Sequence, residues 1–134
     1  MTGPEPINVG VSHQIGRYAD AVRVPAGYEQ ILVSGTPGLH PDGSLADDVT
    51  GQATQAWENV KAILDRAGAT IADIVSIRQW LTDADDIKDY VAVRGAFVRH
   101  ECASMLAVIP ALVWPSIKVE VEVVAVIPAA GTKP

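Results

Sequence analysis

The spacing of apolar side chains predicts two helices in this chain. Apolar residues recur at three- and four-residue steps over residues 49–67, which is typical of an amphipathic helix. Asp47 or Asp48 can cap this helix, and Gly68 can end it. A second helix is predicted over roughly residues 86–99, where an acidic run suits the positive end of the helix dipole.

Five other segments predict strands, because they are rich in β-branched residues and are separated by Pro and Gly. They cover residues 19–23, 30–34, 74–81, 102–109 and 117–127. Strands and helices in this order predict a two-layer α/β domain, in which two helices cover one face of a mixed sheet. Residues 1–6 and 129–134 are expected to be loose ends.

The last predicted strand indicates that the chain associates with copies of itself. Side chains alternate between the two faces of a strand, and here both faces carry apolar residues. Since two helices can cover only one face, we expect a second copy to cover the other, which predicts a homo-oligomer. One face would hold Val119, Val121, Val123 and Ala125, and the other Glu120, Glu122, Val124 and Val126.

Composition narrows the class of protein further. The 134 residues, 49% hydrophobic and 19% charged, predict a single globular domain over residues 1–134 with its core at about 15–127. The net charge of −6 and the scattered Lys and Arg residues make nucleic acid an unexpected partner. No apolar stretch approaches the roughly 20 residues of a membrane helix, so no membrane partner is expected. Without a signal-peptide pattern, and with Cys102 as the single cysteine, a soluble cytoplasmic protein is expected.

Several short motifs, taken in order along the chain, resemble one known family. They are Ile15-Gly16-Arg17-Tyr18, Val33-Ser34-Gly35, Gln52 and Asn59 in the first helix, Leu81-Thr82-Asp83, and Val119-Glu120-Val121-Glu122. No single motif is specific, but the whole series resembles the Rid (YjgF-type) family of small enamine and imine deaminases. The resemblance covers about residues 15–126.

The resemblance implies a chorismate-mutase-like fold and a homotrimer with a central barrel core. It also implies small-molecule clefts between the subunits. In active members an arginine pairs with the substrate carboxylate, and a glutamate positions the water that attacks an imine carbon; no cofactor and no metal are needed. By position, Tyr18, Ser34 and Gly35 would line this cleft, and Glu120 would be the catalytic carboxylate.

The chain departs from the family pattern where the arginine is expected. The family usually has Pro-Ala-Arg where this chain has Cys102-Ala103-Ser104. Two further family positions in the second helix, an asparagine and a tyrosine, are Val91 and Arg94 here, and the family cysteine is Leu106. A serine offers one neutral hydrogen bond where a guanidinium offers a charged planar fork. We therefore expect weak or no activity on 2-aminoacrylate.

Two charged residues each have more than one interpretation. Arg94 lies near the centre of the apolar face of the second helix, where an unpartnered arginine is rare. It could replace the missing arginine as an anion anchor, or form an ion pair with Glu120 or Glu122, or extend its head to water. Glu120 could position water as a general acid or base, or form an ion pair between subunits.

The remaining candidates also keep an ordinary structural interpretation. Tyr18 could contact a ligand or be a half-buried core residue, and Ser34-Gly35 could offer backbone groups or simply end a strand. Arg17 fits a solvated surface residue better than an anion site. Cys102 fits a packed small residue better than a nucleophile. Trp114 could form a pocket wall, or it could be a core or interface residue.

Together these observations predict a cofactor-free Rid-superfamily hydrolase that acts on an imine, an enamine or a related reactive metabolite. Its cleft would be lined by the ligand-binding residues Tyr18, Ser34, Gly35, Arg94, Ser104 and Trp114, with Glu120 as the catalytic residue. The alternative is a trimer that binds a small metabolite without catalysis, for sensing or sequestration. A ribonuclease or translation inhibitor comes third, because the chain is acidic.

Overall fold

The structure is a computed structural model that describes residues 3–130. Two helices pack on each other and against one face of a four-stranded sheet, and a separate two-stranded sheet lies beside this domain core. The predicted two-layer α/β domain is therefore confirmed. The strands are β1 (Glu5–Ile7), β2 (Ala21–Arg23), β3 (Tyr28–Pro37), β4 (Ile74–Leu81), β5 (Ala103–Val108) and β6 (Val119–Pro128), and the helices are α1 (Val49–Arg66) and α2 (Ile87–Phe97).

The main sheet is mixed, and its strand order is β3-β6-β4-β5. Strand β6 pairs antiparallel with β3 and with β4, whereas β4 and β5 run parallel. The parallel pair needs a crossover, which α2 supplies. Strands β1 and β2 pair with each other in the small antiparallel sheet.

Helix α1 forms where its apolar stripe and its end signals agree. The side chain of Asp48 accepts a hydrogen bond of 2.8 Å from the Gly51 N–H, and Gly68 follows the helix with a φ of +81°. The predicted cap and stop are therefore confirmed. The stripe is buried against the sheet and comprises Val49, Ala53, Ala56, Trp57, Val60 and Leu64.

The two faces of the main sheet have different environments. The β6 residues Val119, Val121 and Val123 are fully buried beneath the helices, as the alternation predicts. On the opposite face, Val124 is half-buried, and its neighbour Leu32 on β3 leaves 73% of its surface exposed. Val126, further along β6 on this face, is buried, but the surface around Leu32 is open in the single chain. The homo-oligomer stays a prediction.

Most predicted boundaries differ from the observed ones by one or two residues, and three differences have a clear physical reason. Residues 1–6 were expected to be loose, but Glu5–Ile7 forms β1 because it finds a pairing partner in β2. Strand β3 runs on to Pro37 rather than ending at Ser34, because a bulge lets it continue. Helix α2 begins later than predicted, since residues 84–86 form a 3₁₀ turn in which Asp83 accepts from the Asp85 N–H. Residues 1–2 and 131–134 lie outside the described residues.

Two amide side chains on α1 hold the loops that flank the sheet. Gln52 is buried and donates to the carbonyls of Ala46 and Ser116 at 2.9 Å each, while its oxygen accepts from the Lys118 N–H at 2.8 Å. About two turns further on, Asn59 donates to the carbonyls of Pro37 and Leu39. These two motif residues therefore position the segments that lead out of β3 and into β6.

Replacing Gln52 with Leu should destabilise the fold by about 2 kcal/mol, because buried hydrogen-bonding groups lose their partners. Urea denaturation should show a lower midpoint with an unchanged m-value. The matched control is Thr54→Ala, an exposed change on the same helix, which should stay within about 0.5 kcal/mol of the parent. Equal stabilities for the two variants would contradict the role given to Gln52.

Candidate functional site

A pocket of about 550 Å³ opens between α2, β5 and the loop at residues 15–18. It brings together three of the predicted site residues: Tyr18 from the loop, Arg94 from α2 and Ser104 from β5. We call it the Arg94 pocket. Its other lining residues are mostly apolar, and they are Ile15, Gly16, Arg17, Ile77, Ile87, Val91, Gly95, Val98, His100, Cys102, Met105 and Leu106.

A buried amide beneath this pocket connects its polar residues. Gln79 on β4 is completely buried, and its Nε2 donates to Ser104 Oγ at 3.0 Å and to the Met105 carbonyl at 2.7 Å. Its Oε1 accepts from Tyr90 Oη at 2.6 Å and from Arg94 Nη1 at 3.1 Å. Both donors and both acceptor positions of the amide are thus used. Ser104 and Arg94 are consequently held by one common partner.

Arg94 is half-buried, and its guanidinium keeps most of its hydrogen-bonding capacity. Within residues 3–130 it forms no ion pair, so a pairing with Glu120 or Glu122 does not occur inside the chain. Its one hydrogen bond in this part of the chain uses a single Nη1–H of five donors. The remaining donors belong to a side chain that lines the pocket and faces a neutral serine there.

The loop that presents Tyr18 is fixed by the carboxylate of Asp20. This carboxylate accepts from the Val9 N–H at 2.6 Å and the Ser12 N–H at 2.7 Å, and these hydrogen bonds lower the pKa of Asp20. Ser12 Oγ in turn donates to the Tyr18 carbonyl at 2.7 Å. Tyr18 is half-buried, whereas Arg17 beside it is exposed.

Three more of the predicted site residues, Ser34, Gly35 and Glu120, form a second group towards the opposite edge of the sheet. Val33 pairs with Val123 and Thr36 with Val121, so Ser34 and Gly35 form a β-bulge in β3. A Cβ atom on residue 35 would lie only 2.6 Å from Glu120 Oε1. Gly35 therefore makes room for this carboxylate. We call Ser34, Gly35 and Glu120 the Glu120 group.

Glu120 is half-buried on β6, and burial raises the pKa of its carboxyl above the ordinary value. Ser34 and Gly35 do not form the strand-end turn that was the ordinary alternative, since β3 continues to Pro37. The carbonyl of Ser34 is already used, because it accepts from Thr36 Oγ1 at 2.8 Å.

The Arg94 pocket and the Glu120 group lie on opposite faces of the sheet in one protomer. Gln79 points towards α2, so its neighbour Trp80 points to the other face, and Glu120 is the register partner of Trp80. Ser104 is the register partner of the buried Ile77 and shares the helix side. A single chain therefore does not join these residues into one site.

The structure limits the possible roles of three further side chains, those of Trp114, Cys102 and His100. Trp114 lies on the loop between β5 and β6 with 47% of its surface exposed, and it does not line the Arg94 pocket. Burial raises the pKa of the Cys102 thiol to about 11, which keeps the thiol protonated at neutral pH and unsuited to nucleophilic attack. His100 Nε2 forms a hydrogen bond of 2.7 Å with the carbonyl oxygen of Ile74.

Residues 3–130 lack two features that would change the class of site, a metal-binding cluster and a membrane-spanning helix. No group of three or more His, Cys, Asp or Glu residues in this range is arranged to hold a metal ion. No helix within the same range has the length and apolar character needed to cross a membrane.

Comparison with known proteins places the chain in a family. A family model described as Endoribonuclease L-PSP matches residues 11–127. The chain belongs to this family. A curated relative, the 2-iminobutanoate/2-iminopropanoate deaminase of Salmonella typhimurium, is 34% identical over 116 residues, which are 84% of this chain and 88% of the relative. The family is thus the Rid, or YjgF-type, family that the motifs resemble.

Solved structures agree with this assignment. The YjgF gene product of Escherichia coli is 31% identical, with a TM-score of 0.68 over 84% of this chain and 89% of that chain. A conserved Rid-family protein of unknown function from Yersinia pestis has a TM-score of 0.83 over 94% of this chain and 100% of that one, at 24% identity. This second likeness shows the shared fold.

Gln79 is not among the site residues that the sequence predicts. The available signal was a polar residue at an inward position of β4, between Ile77 and Leu81, which are both buried. A buried amide in such a position needs partners for all its polar atoms. The partners come from β5 and α2, and their approach depends on the tertiary fold rather than on the local pattern.

The raised pKa of Glu120 predicts a specific dependence of stability on pH. Because the folded state holds this proton more tightly than the unfolded state, the free energy of unfolding should fall as pH rises through the range just above 4.5. Glu120→Gln has no such proton and should lose this part of the dependence. Denaturation of both proteins between pH 4 and 7 measures it. Glu122→Gln, on the same strand, controls for the removal of one carboxylate charge, and identical curves for parent and Glu120→Gln would contradict the prediction.

Proposed function

We propose that this Rid-family protein is a cofactor-free hydrolase that converts imines or enamines into carbonyl compounds and ammonia. Its sites would lie at clefts between the subunits of a homotrimer, where the Arg94 pocket of one protomer meets the Glu120 group of its neighbour. The observation that supports this most directly is the placement of the two groups on opposite faces of one chain. The deaminase name of the Salmonella relative supports the reaction class.

An open sheet face supports the assembly. Leu32 is largely exposed there, and Met105 on the far strand leaves 43% of its surface exposed. Arg78 and Glu122 are register partners on the same face, so the surface offers both charges as well as apolar area. A second copy would bury this area and would bring its own residues to the edges of the sheet.

In the proposed reaction, each half of the cleft has its own task. The Arg94 pocket binds and orients the ligand. A water molecule beside Glu120 adds its oxygen to the imine carbon while the carboxylate accepts a proton from it. The carboxyl returns this proton to the nitrogen, which gives an adduct that carries one hydroxyl and one amino group on the same carbon. The C–N bond then breaks as the hydroxyl proton passes through the carboxylate to the departing nitrogen, so one water and one imine give one carbonyl compound and one ammonia.

The surroundings of Glu120 suit this proton transfer. A general acid or base works best when its pKa lies near the working pH, and burial moves the pKa of Glu120 upwards from its ordinary value. Gly35 leaves room for the carboxylate at the bulge, because a Cβ atom there would lie 2.6 Å from Glu120 Oε1. A carboxylate in this setting can both accept and return a proton.

The proposal includes weak or no activity on 2-aminoacrylate. Ser104 occupies the position at which the family resemblance expects an arginine, and its hydroxyl is already hydrogen-bonded to Gln79. A hydrogen bond to a charged group contributes roughly 1.5–3 kcal/mol, against about 1 kcal/mol for a neutral one. A small ligand such as 2-aminoacrylate has little apolar surface, so its binding would depend most on a charged hydrogen bond from position 104, which Ser104 does not provide.

Two other functions fit the observations less well. The family description names an endoribonuclease, but a net charge of −6 does not favour binding to a phosphate backbone. The Arg94 pocket offers only two guanidinium groups, those of Arg17 and Arg94, which are few for a chain of phosphates. A trimer that only binds a metabolite would use the same cleft without turnover. The raised pKa of Glu120 favours catalysis over this alternative.

Ammonia release measures the proposed activity. Freshly generated 2-imino acids with bulky side chains should be hydrolysed faster than 2-aminoacrylate. Glu120→Gln should lower kcat by about 10²–10⁴-fold and should leave ligand binding nearly unchanged, because the carboxylate handles the proton rather than the anion. Glu29→Gln on β3 is exposed and serves as the control. Ligand binding without any ammonia release by the parent protein would support the metabolite-binding alternative instead.

A mixed assembly tests the shared cleft. Arg94→Ala and Glu120→Gln protomers should each be nearly inactive alone. When they are co-expressed and assemble at random, about a quarter of the clefts should combine an intact Arg94 with an intact Glu120 from the neighbour and recover activity. No recovery in a verified mixed trimer, or a stable monomer in light scattering of the parent protein, would refute the intersubunit site.

A further inference from the structure

The Arg94 pocket contains two positive side chains that differ in how they are held. Arg94 is half-buried and is fixed through Nη1 to Gln79 Oε1 at 3.1 Å. Arg17 is exposed on the loop. Ordering a long side chain costs conformational entropy when a ligand binds, and a side chain that is already fixed avoids most of this cost. Arg94 is therefore the better-prepared anion site of the two.

Gln79 can orient Arg94 without neutralising it. The amide oxygen is a neutral acceptor, so the guanidinium keeps its full charge while one of its nitrogens is directed towards β4. Tyr90 Oη donates to the same oxygen at 2.6 Å, and Nε2 is fixed by Ser104 and Met105. The amide cannot rotate without breaking these bonds, so Arg94 has a rigid support.

The wall around Arg94 is apolar over most of its area. Its apolar residues come from the sheet, from α2 and the residue that follows it, and from the loop, and they include Ile77, Leu106, Val91, Val98 and Ile15. The volume of about 550 Å³ is that of the pocket in a single protomer. The pocket combines one supported cation with a wide apolar surface.

We infer that Gln79 is a positioning residue that holds Arg94 as the carboxylate anchor of this pocket, and that the pocket selects monocarboxylates with a branched or aromatic apolar group over short ones. In this protein the anchoring guanidinium thus comes from helix α2 rather than from strand β5. The inference deepens the proposed function and rests on it, because it names the ligand class of the same site.

Binding of unreactive 2-oxo acids tests the inference without turnover. Calorimetry on the assembled protein compares 4-methyl-2-oxopentanoate, its carboxamide and pyruvate. The branched acid should bind at least about 10-fold more tightly than pyruvate, because its extra methylene and methyl groups contact the apolar wall. The carboxamide, which has the same shape without the charge, should bind about 10-fold more weakly than the acid.

Two variants separate anchoring from folding. Arg94→Ala removes the guanidinium, whereas Gln79→Glu leaves it in place and pairs it with a buried carboxylate. Both should lower the affinity for the branched acid by about 10-fold or more. Both should change the affinity for the carboxamide by less than about 3-fold, since a neutral ligand does not use the charge. Arg17→Ala should lower the affinity for the acid less than Arg94→Ala does, because Arg17 is exposed. The control is the exposed helix variant Lys88→Ala, which should change the affinity for the acid by less than about 3-fold.

Each contrary outcome overturns a defined part of the inference. A loss with Arg17→Ala and none with Arg94→Ala would make Arg17 the anchor. Equal losses of acid and carboxamide in Gln79→Glu would make Gln79 a structural residue only. Equal affinity for pyruvate and the branched acid would remove the ligand class. A protein that binds the oxo acid as described but releases no ammonia from any imine would refute the proposed hydrolysis and leave the anchor in place.

Discussion

The side chain of Gln79 lies between helix α2 and the sheet with no access to water, and each of its polar atoms has a partner there. An amide buried without partners would cost several kcal/mol, so this position is tolerable only when α2 and β5 both lie in their observed places. The same contacts that stabilise the packing of α2 also fix Arg94 above them. The geometry of the Arg94 pocket is therefore a consequence of how a polar group is accommodated in the core.

The strand alternation explains why the candidate site is divided. Adjacent positions on β4 point to opposite faces, so the sheet that places Ser104 beneath α2 necessarily places Glu120 on the other side. No rearrangement of side chains within one chain can join them. The division of the candidate site between two faces follows from this constraint, and in the proposed homotrimer a neighbouring subunit would supply the carboxylate that the Arg94 pocket lacks.

Most of the fold could be predicted from the sequence, because its elements follow local rules. The cap at Asp48, the stop at Gly68 and the apolar stripe of α1 each depend on neighbouring residues, and each lies where the pattern indicates. The errors fall where pairing partners are distant in sequence. Strand β1 exists because of β2, and β3 extends to Pro37 because β6 accommodates a bulge at Ser34-Gly35. The site was only partly predictable for the same reason, since Gln79 acquires its role from Tyr90, Arg94 and Ser104.

Position 104 is a serine in this chain, where the family resemblance expects an arginine. An arginine there would place its charge close to that of Arg94, and two guanidinium groups in a half-buried pocket repel each other unless an anion lies between them. A serine at this position avoids that repulsion, and its hydroxyl becomes an acceptor for Gln79 instead. The amide oxygen is then directed at α2, where it receives Arg94 and Tyr90. Ser104 and Arg94 are thus joined through the two ends of one amide, so a change at Gln79 would alter the surroundings of both.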